Sequence, residues 1–164
     1  STAKLDALSD ILDTMLTEDR KLVIMARFVP ELNDIQKLLE KKNIGYASVR
    51  GGISDRAEEI RKFQEDADCR VFIGQIAAAG LGITLTTAST MVFYSLDYSM
   101  SNFEQAKARI HRVSQTENCL YIYLIAKNTV DAKILRSLRD KVDLARILVD
   151  DYRNGIDPFQ EKED

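Results

Sequence analysis

In the stretch QAKARIHRVSQ, Gln105 to Gln115, one glutamine and two arginines recur at helical spacing: Gln105, Arg109 and Arg112. A guanidinium group is planar, permanently charged and able to make forked hydrogen bonds, so two of them on one stripe suit phosphate oxygens. Ser101 followed by Glu104 is a capping-box pattern, which predicts a helix starting there and running through Arg112. Phe103, Ala106, Ile110 and Val113 would form its apolar stripe. At about 100° per residue, the polar set falls roughly a third of a turn away, displayed beside the buried face and not buried by it. Spacing alone favours a solvated helix flank, which is what most charged stripes are. His111, the single histidine, reads as structural and carries no catalytic role.

The elements that must position this stripe alternate along the chain. Leu5, Leu8, Leu12 and Met15 follow the three-and-four spacing of an amphipathic helix, and LVIMARF (Leu22 to Phe28) then suits a strand buried on both faces. Pro30 opens a second helical pattern with Leu32, Ile35 and Leu39, and Gly45 precedes a short strand, YASV. Ser54 is the expected cap of a helix carrying Ile60 and Phe63. CRVFIG, TMVFYS and CLYIYLIA supply three further strands. Strands separated by helices predict an open, mostly parallel α/β sheet with helices on both faces.

The 164 residues, 45% hydrophobic and 30% charged, fit one well-buried domain and are too few for two ordinary ones. We expect the domain to span residues 1–149, followed by a polar acidic tail at 150–164 that contains six acids, Arg153 and Lys162. The body then carries 21 basic and 20 acidic residues, so a nucleic-acid surface would be a local patch and not a whole-molecule field. No apolar run approaches the roughly 18 residues that cross a bilayer, and the first ten residues lack the order of a secretory signal. Cys69 and Cys119 stand in no metal-ligand spacing, so they read as reduced, buried residues of an intracellular protein without a zinc site.

The segment from Gly74 to Gln115 resembles the later motifs of the Swi/Snf-type ATPases of helicase superfamily two. That family carries a glycine-rich loop, here Ala79 to Thr86, then a strand, then a helix of pattern Q-A-x-x-R-x-x-R-x-x-Q, matched here by Gln105, Ala106, Arg109, Arg112 and Gln115. KLDAL, KLVIMARF, GGISDRAEEIRKF and YLIAKNTVDAKIL fit the family's flanking segments in the right order, up to about Val149. Three departures stand out: Val113 and Ser114 where the family has a glycine, Asp97-Tyr98-Ser99-Met100 where a tryptophan is usual, and Ala79-Gly80 in place of paired glycines. They suit a divergent member.

The resemblance implies a RecA-like (P-loop NTPase-like) lobe, the carboxyl-terminal half of a motor that splits ATP between two lobes while tracking along double-stranded DNA. By resemblance, Arg109 and Arg112 act as arginine fingers on the transferring phosphoryl group, Gln105 helps orient them, and Gly80 and Gly82 approach the nucleotide. Arg27, Arg50, Gly51, Gly52, Arg56, Thr84 and Thr86 would form the DNA track; the structural reading of Arg50 and Arg56 as loop-solvating residues weighs nearly as much. No G-x-x-x-x-G-K-[ST] occurs and no Asp-Glu pair follows an apolar strand, so ATP and Mg²⁺ are expected to be held mainly by the first lobe of a parent chain. Alone, the chain is expected to be monomeric, inactive toward ATP and weakly bound to DNA. Starting at STAKLDAL supports an excised second lobe. The expected location is the nucleus of a eukaryote, or the cytoplasm of a bacterium or virus-infected cell. Two alternatives stay open: another superfamily-two motor (a restriction translocase or RNA helicase), or a stand-alone nucleotide- or protein-binding module. RNA helicases of the common classes place glycines between the two arginines, unlike this chain.

Overall fold

Runs of branched and aromatic residues too short to make helices extend here into strands, and the amphipathic stretches between them coil over the resulting sheet. The computed structural model describes residues 2–50, 55–77, 83–126 and 131–141. The chain runs α1 (Thr2–Thr17), β1 (Leu22–Ala26), α2 (Val29–Lys41), β2 (Gly45–Val49), α3 (Arg56–Glu65), β3 (Cys69–Gln75), β4 (Thr90–Phe93), α4 (Met100–Lys107) and β5 (Leu120–Tyr123). A further helix, α5, covers 131–141. All five expected strands form, each within a few residues of its apolar run.

The strands are all parallel, in the order β2-β3-β1-β4-β5. Side chains alternate across β1: Leu22, Ile24 and Ala26 join the core under α1 and α2, whereas Val23 and Met25 join the core under α3, α4 and α5. Both faces are therefore covered, as a parallel sheet requires. The crossover leaving β1 runs one way along the sheet to β2, and the crossover leaving β4 runs the other way to β5. The direction reverses between β1 and β4, and the carboxyl ends of these two strands flank the crevice where open α/β sheets bind ligands.

Local chemistry fixes the ends. Pro30 lies in the first turn of α2, where its missing N–H costs nothing, and the Glu31 carboxylate accepts the Phe28 N–H. α3 is capped by Asp55, which accepts the Glu58 N–H at 3.1 Å; Ser54, the expected cap, lies outside the described residues. The free edge of β2 is covered by α3, with Lys62 donating to the Tyr46 carbonyl and Glu59 accepting the Ser48 N–H. Lys4, buried in α1, pairs with Asp131 of α5 and donates to the Tyr94 carbonyl at the end of β4. Cys69 is buried as expected, but Cys119 is only half-buried; both are free thiols. The acidic tail lies outside the described residues.

Candidate functional site

α4 begins two residues earlier and ends sooner than its sequence pattern predicts. Ser99 is the cap: its backbone is extended and its hydroxyl accepts the Asn102 N–H at 3.1 Å. The Asp97 carboxylate supports the turn by accepting the Ser99 N–H and the Asn102 side-chain amide. Ser101, the expected cap, instead accepts a hydrogen bond from Gln105. Helical bonding gives way after Lys107 to tight turns, in which Arg109 N–H reaches Ala106 O and Ile110 N–H reaches Lys107 O.

That early end breaks the expected stripe. Arg109 is 6% exposed, with Nε donating to Gln105 O at 2.9 Å and Nη1 reaching Ile83 O at 3.5 Å. Burial pushes its pKa down, and the charge of Arg112 adds to the effect. Arg112 is half-buried; its Nε donates to Ala108 O at 3.2 Å, and its terminal nitrogens have no partner among the described residues. Gln105 is exposed on Ser101, and Val113, expected in the apolar stripe, is fully exposed. The three polar residues thus do not share one displayed face, because the relation of 100° per residue holds only while the helix continues.

The remaining predicted residues separate into two groups at opposite ends of the strands. Arg27 and Arg50 follow the carboxyl ends of β1 and β2, and Arg56 starts α3. The Arg27 guanidinium lies 4.8 Å from the centre of the exposed Phe28 ring. The Arg27 backbone N–H donates to Ser95 Oγ at 2.7 Å, and that hydroxyl donates in turn to Glu31, linking the ends of β1 and β4 to α2. Arg50 donates to Asn33 and Gln36 of α2. Thr86, by contrast, lies near the amino end of β4 within an internal network: its hydroxyl accepts from Gln64 and Ser114, and its carbonyl accepts from Gln115. Thr84, two residues before it, is half-buried. Thr84 and Thr86 thus lie toward the amino end of β4, whereas Arg27 and Arg50 follow the carboxyl ends of β1 and β2. Gly51, Gly52, Gly80 and Gly82 lie outside the described residues.

Several groups that support the site gave no sequence signal. Gln64 accepts both the N–H and the hydroxyl of Thr87, and Glu31 ties α2 to Ser95. Each contact joins residues far apart in sequence, and no spacing rule reports them. Among the described residues no group of three or more His, Cys, Asp or Glu side chains could hold a metal ion, and no helix is long and apolar enough to cross a membrane.

An all-parallel sheet with this strand order and an arginine-bearing turn after α4 narrows the possibilities, and similarity to known proteins completes the assignment. Residues 3–114 match the family described as the helicase conserved C-terminal domain. The chain belongs to that family. Within it, the chain is a RecA-like C-terminal lobe of Swi/Snf type. It is 34% identical over 143 residues to the SWI/SNF-related matrix-associated actin-dependent regulator of chromatin subfamily A-like protein 1 of Drosophila melanogaster, covering 86% of this chain and 19% of that protein. It is 29% identical over 162 residues to the chromatin-remodeling ATPase INO80 of the same organism, covering 98% of this chain and 10% of that protein. The crystal structure of the C-terminal part of the Fun30 ATPase domain superposes with a TM-score of 0.78 at 30% identity, covering 82% of this chain and 44% of that one. The helicase C-terminal lobe thus spans a fifth or less of the length of these curated relatives.

Proposed function

We propose that this lobe is the second half of an ATP-driven translocase on double-stranded DNA and completes the nucleotide site with Arg112. The observation that carries the reading is the contrast within the arginine pair: Arg109 is spent on internal carbonyls, whereas Arg112 keeps its terminal guanidinium nitrogens free of protein partners among the described residues. A half-buried, permanently charged fork is suited to a phosphoryl group that gathers negative charge, and its low local dielectric strengthens the contact. Arg109 then acts mainly by holding the turn, a role distinct from the paired-finger expectation. Gln105 keeps its carbonyl on Arg109 and its amide on Ser101.

The donor set fits the phosphates of ATP and does not fit magnesium, for which no carboxylate cluster exists among the described residues. ATP, when bound, supplies the phosphoryl group whose transfer to water drives movement; the first lobe of the parent chain is proposed to hold it together with Mg²⁺. DNA would meet the carboxyl edge, where Arg27 and Arg50 follow β1 and β2 and Arg56 opens α3. The similarity to chromatin-remodeling ATPases supports this partner, and supports work in the nucleus where the parent is eukaryotic.

The test compares this chain with its two-lobed parent for ATP hydrolysis with and without duplex DNA. We expect DNA-stimulated turnover from the parent and none from the lobe alone. Turnover by the isolated lobe at the parent's rate would overturn the reading. In the same preparations, removal of Arg27, Arg50 and Arg56 together should weaken DNA binding and flatten its dependence on salt concentration.

A further inference from the structure

The turn that carries Arg112 is not helical, so something other than the α4 hydrogen-bond ladder must hold it. Two links join it to residues 85–88, the segment that leads into β4. Leu85 N–H donates to Arg109 O at 2.9 Å, and the side chain of Gln115 gathers three carbonyls around one amide nitrogen: Ala88 O at 2.7 Å, Ile110 O at 3.0 Å and Thr86 O at 3.3 Å. An amide has two protons, so these three acceptors share them, and no other side chain type of this length offers the same pair of donors without a charge. Gln115 Oε1 accepts the Glu117 N–H, and the Gln115 backbone N–H closes on Arg112 O at 2.9 Å. Ala88 lies two residues before β4, a strand paired on both sides within the sheet. Gln115 therefore ties the backbone on either side of Arg112 to the segment that leads directly into β4.

We propose that Gln115 is a positioning residue for phosphoryl transfer, acting through Arg112 by fixing the turn that aims its guanidinium. The inference rests on the reading of Arg112 as the phosphate-facing arginine.

The experiment measures steady-state ATP hydrolysis of the two-lobed parent, with saturating duplex DNA, for Gln115→Met, Arg112→Ala and the double variant. Methionine retains length and bulk while removing both donors. We expect Gln115→Met to lower kcat about a hundredfold with KM for ATP unchanged, the size expected when a reacting group is misplaced by an ångström or so. In the Arg112→Ala background the same change should cost nothing further, because the group it aims is gone. Losses that multiply in the double variant, or a Gln115→Met enzyme with native kcat beside an inactive Arg112→Ala, would overturn the proposal while leaving the role of Arg112 intact. Native turnover by Arg112→Ala would instead remove the reading beneath it, and the proposal with it. If Gln115→Met and Gln115→Glu both fail to fold by circular dichroism, Gln115 holds the lobe together and the positioning assignment is wrong.

Discussion

Arg109 and Arg112 are three residues apart, yet one is folded into the protein and the other keeps a free guanidinium end, so the same truncation should separate stability from activity. Arg109→Ala leaves the carbonyls of Gln105 and Ile83 without their buried donor and should cost about 1–3 kcal/mol in a urea titration of this chain. Arg112→Ala removes one bond at the edge of the turn and should stay within about 0.5 kcal/mol of the native chain. Equal destabilisation by both would contradict the division of labour. Lys4→Met should be costlier, about 3–5 kcal/mol, because it strands the carboxylate of Asp131, only 15% exposed, without its partner. Adding Asp131→Leu should recover most of that loss. These roles were only partly legible in the sequence. The arginines announced themselves by type and spacing, but Lys4 looked like an ordinary polar residue of an amphipathic helix, and its partner lies near the other end of the described chain.

Elements were more legible than single contacts, because a strand or helix repeats its signal along its length. Apolar runs marked all five strands, and three-and-four spacing marked α1 and α2. The end of α4 was misjudged since the apolar spacing Phe103, Ala106, Ile110 continues past the point where Ile110 is buried by a turn and not by a helix. Gly45 was read only as punctuation before a strand. In the fold it opens β2 at the irregular join with β3, where an added Cβ would lie 2.2 Å from the Asp68 carbonyl oxygen. The atoms it would meet are all backbone of Asp68 and Cys69, with no side chain to give way, so Gly45→Ala should destabilise the chain by about 1–3 kcal/mol. A urea midpoint equal to that of the native chain would mean that β2 can shift its register freely.

At the scale of the molecule, the sheet and its two cores set how the fold responds to pH. Tyr46 and Tyr94 are both pushed up to about 12, chiefly by burial, with the carboxylate of Glu40 beside Tyr46 and those of Glu31 and Asp34 near Tyr94 adding to the shift. A phenol whose folded pKa exceeds its unfolded value near 10 keeps more protons when folded, so its stabilising contribution is intact below pH 10 and is lost as pH rises through 12. Lys21 works the other way: burial depresses its pKa, so its penalty fades as pH climbs toward its ordinary value of 10.5. The urea midpoint should fall between pH 10 and 12, and Tyr46→Phe or Tyr94→Phe should each reduce that fall. The architecture and the absence of a phosphate-binding loop were visible in the sequence, because both depend on long ordered patterns. The separation of Thr84 and Thr86 from Arg27 and Arg50 was not, since only the folded path shows which end of the sheet a loop has reached. The measurement that bears most directly on the account is DNA-stimulated ATP turnover by the two-lobed parent carrying Arg112→Ala or Arg112→Lys, each with folding and ATP binding verified. We expect kcat to fall by about three to five orders of magnitude in Arg112→Ala, with little rescue by lysine, which cannot make the forked contact. Turnover at the native rate in either variant would contradict the assignment of Arg112 to the phosphoryl group.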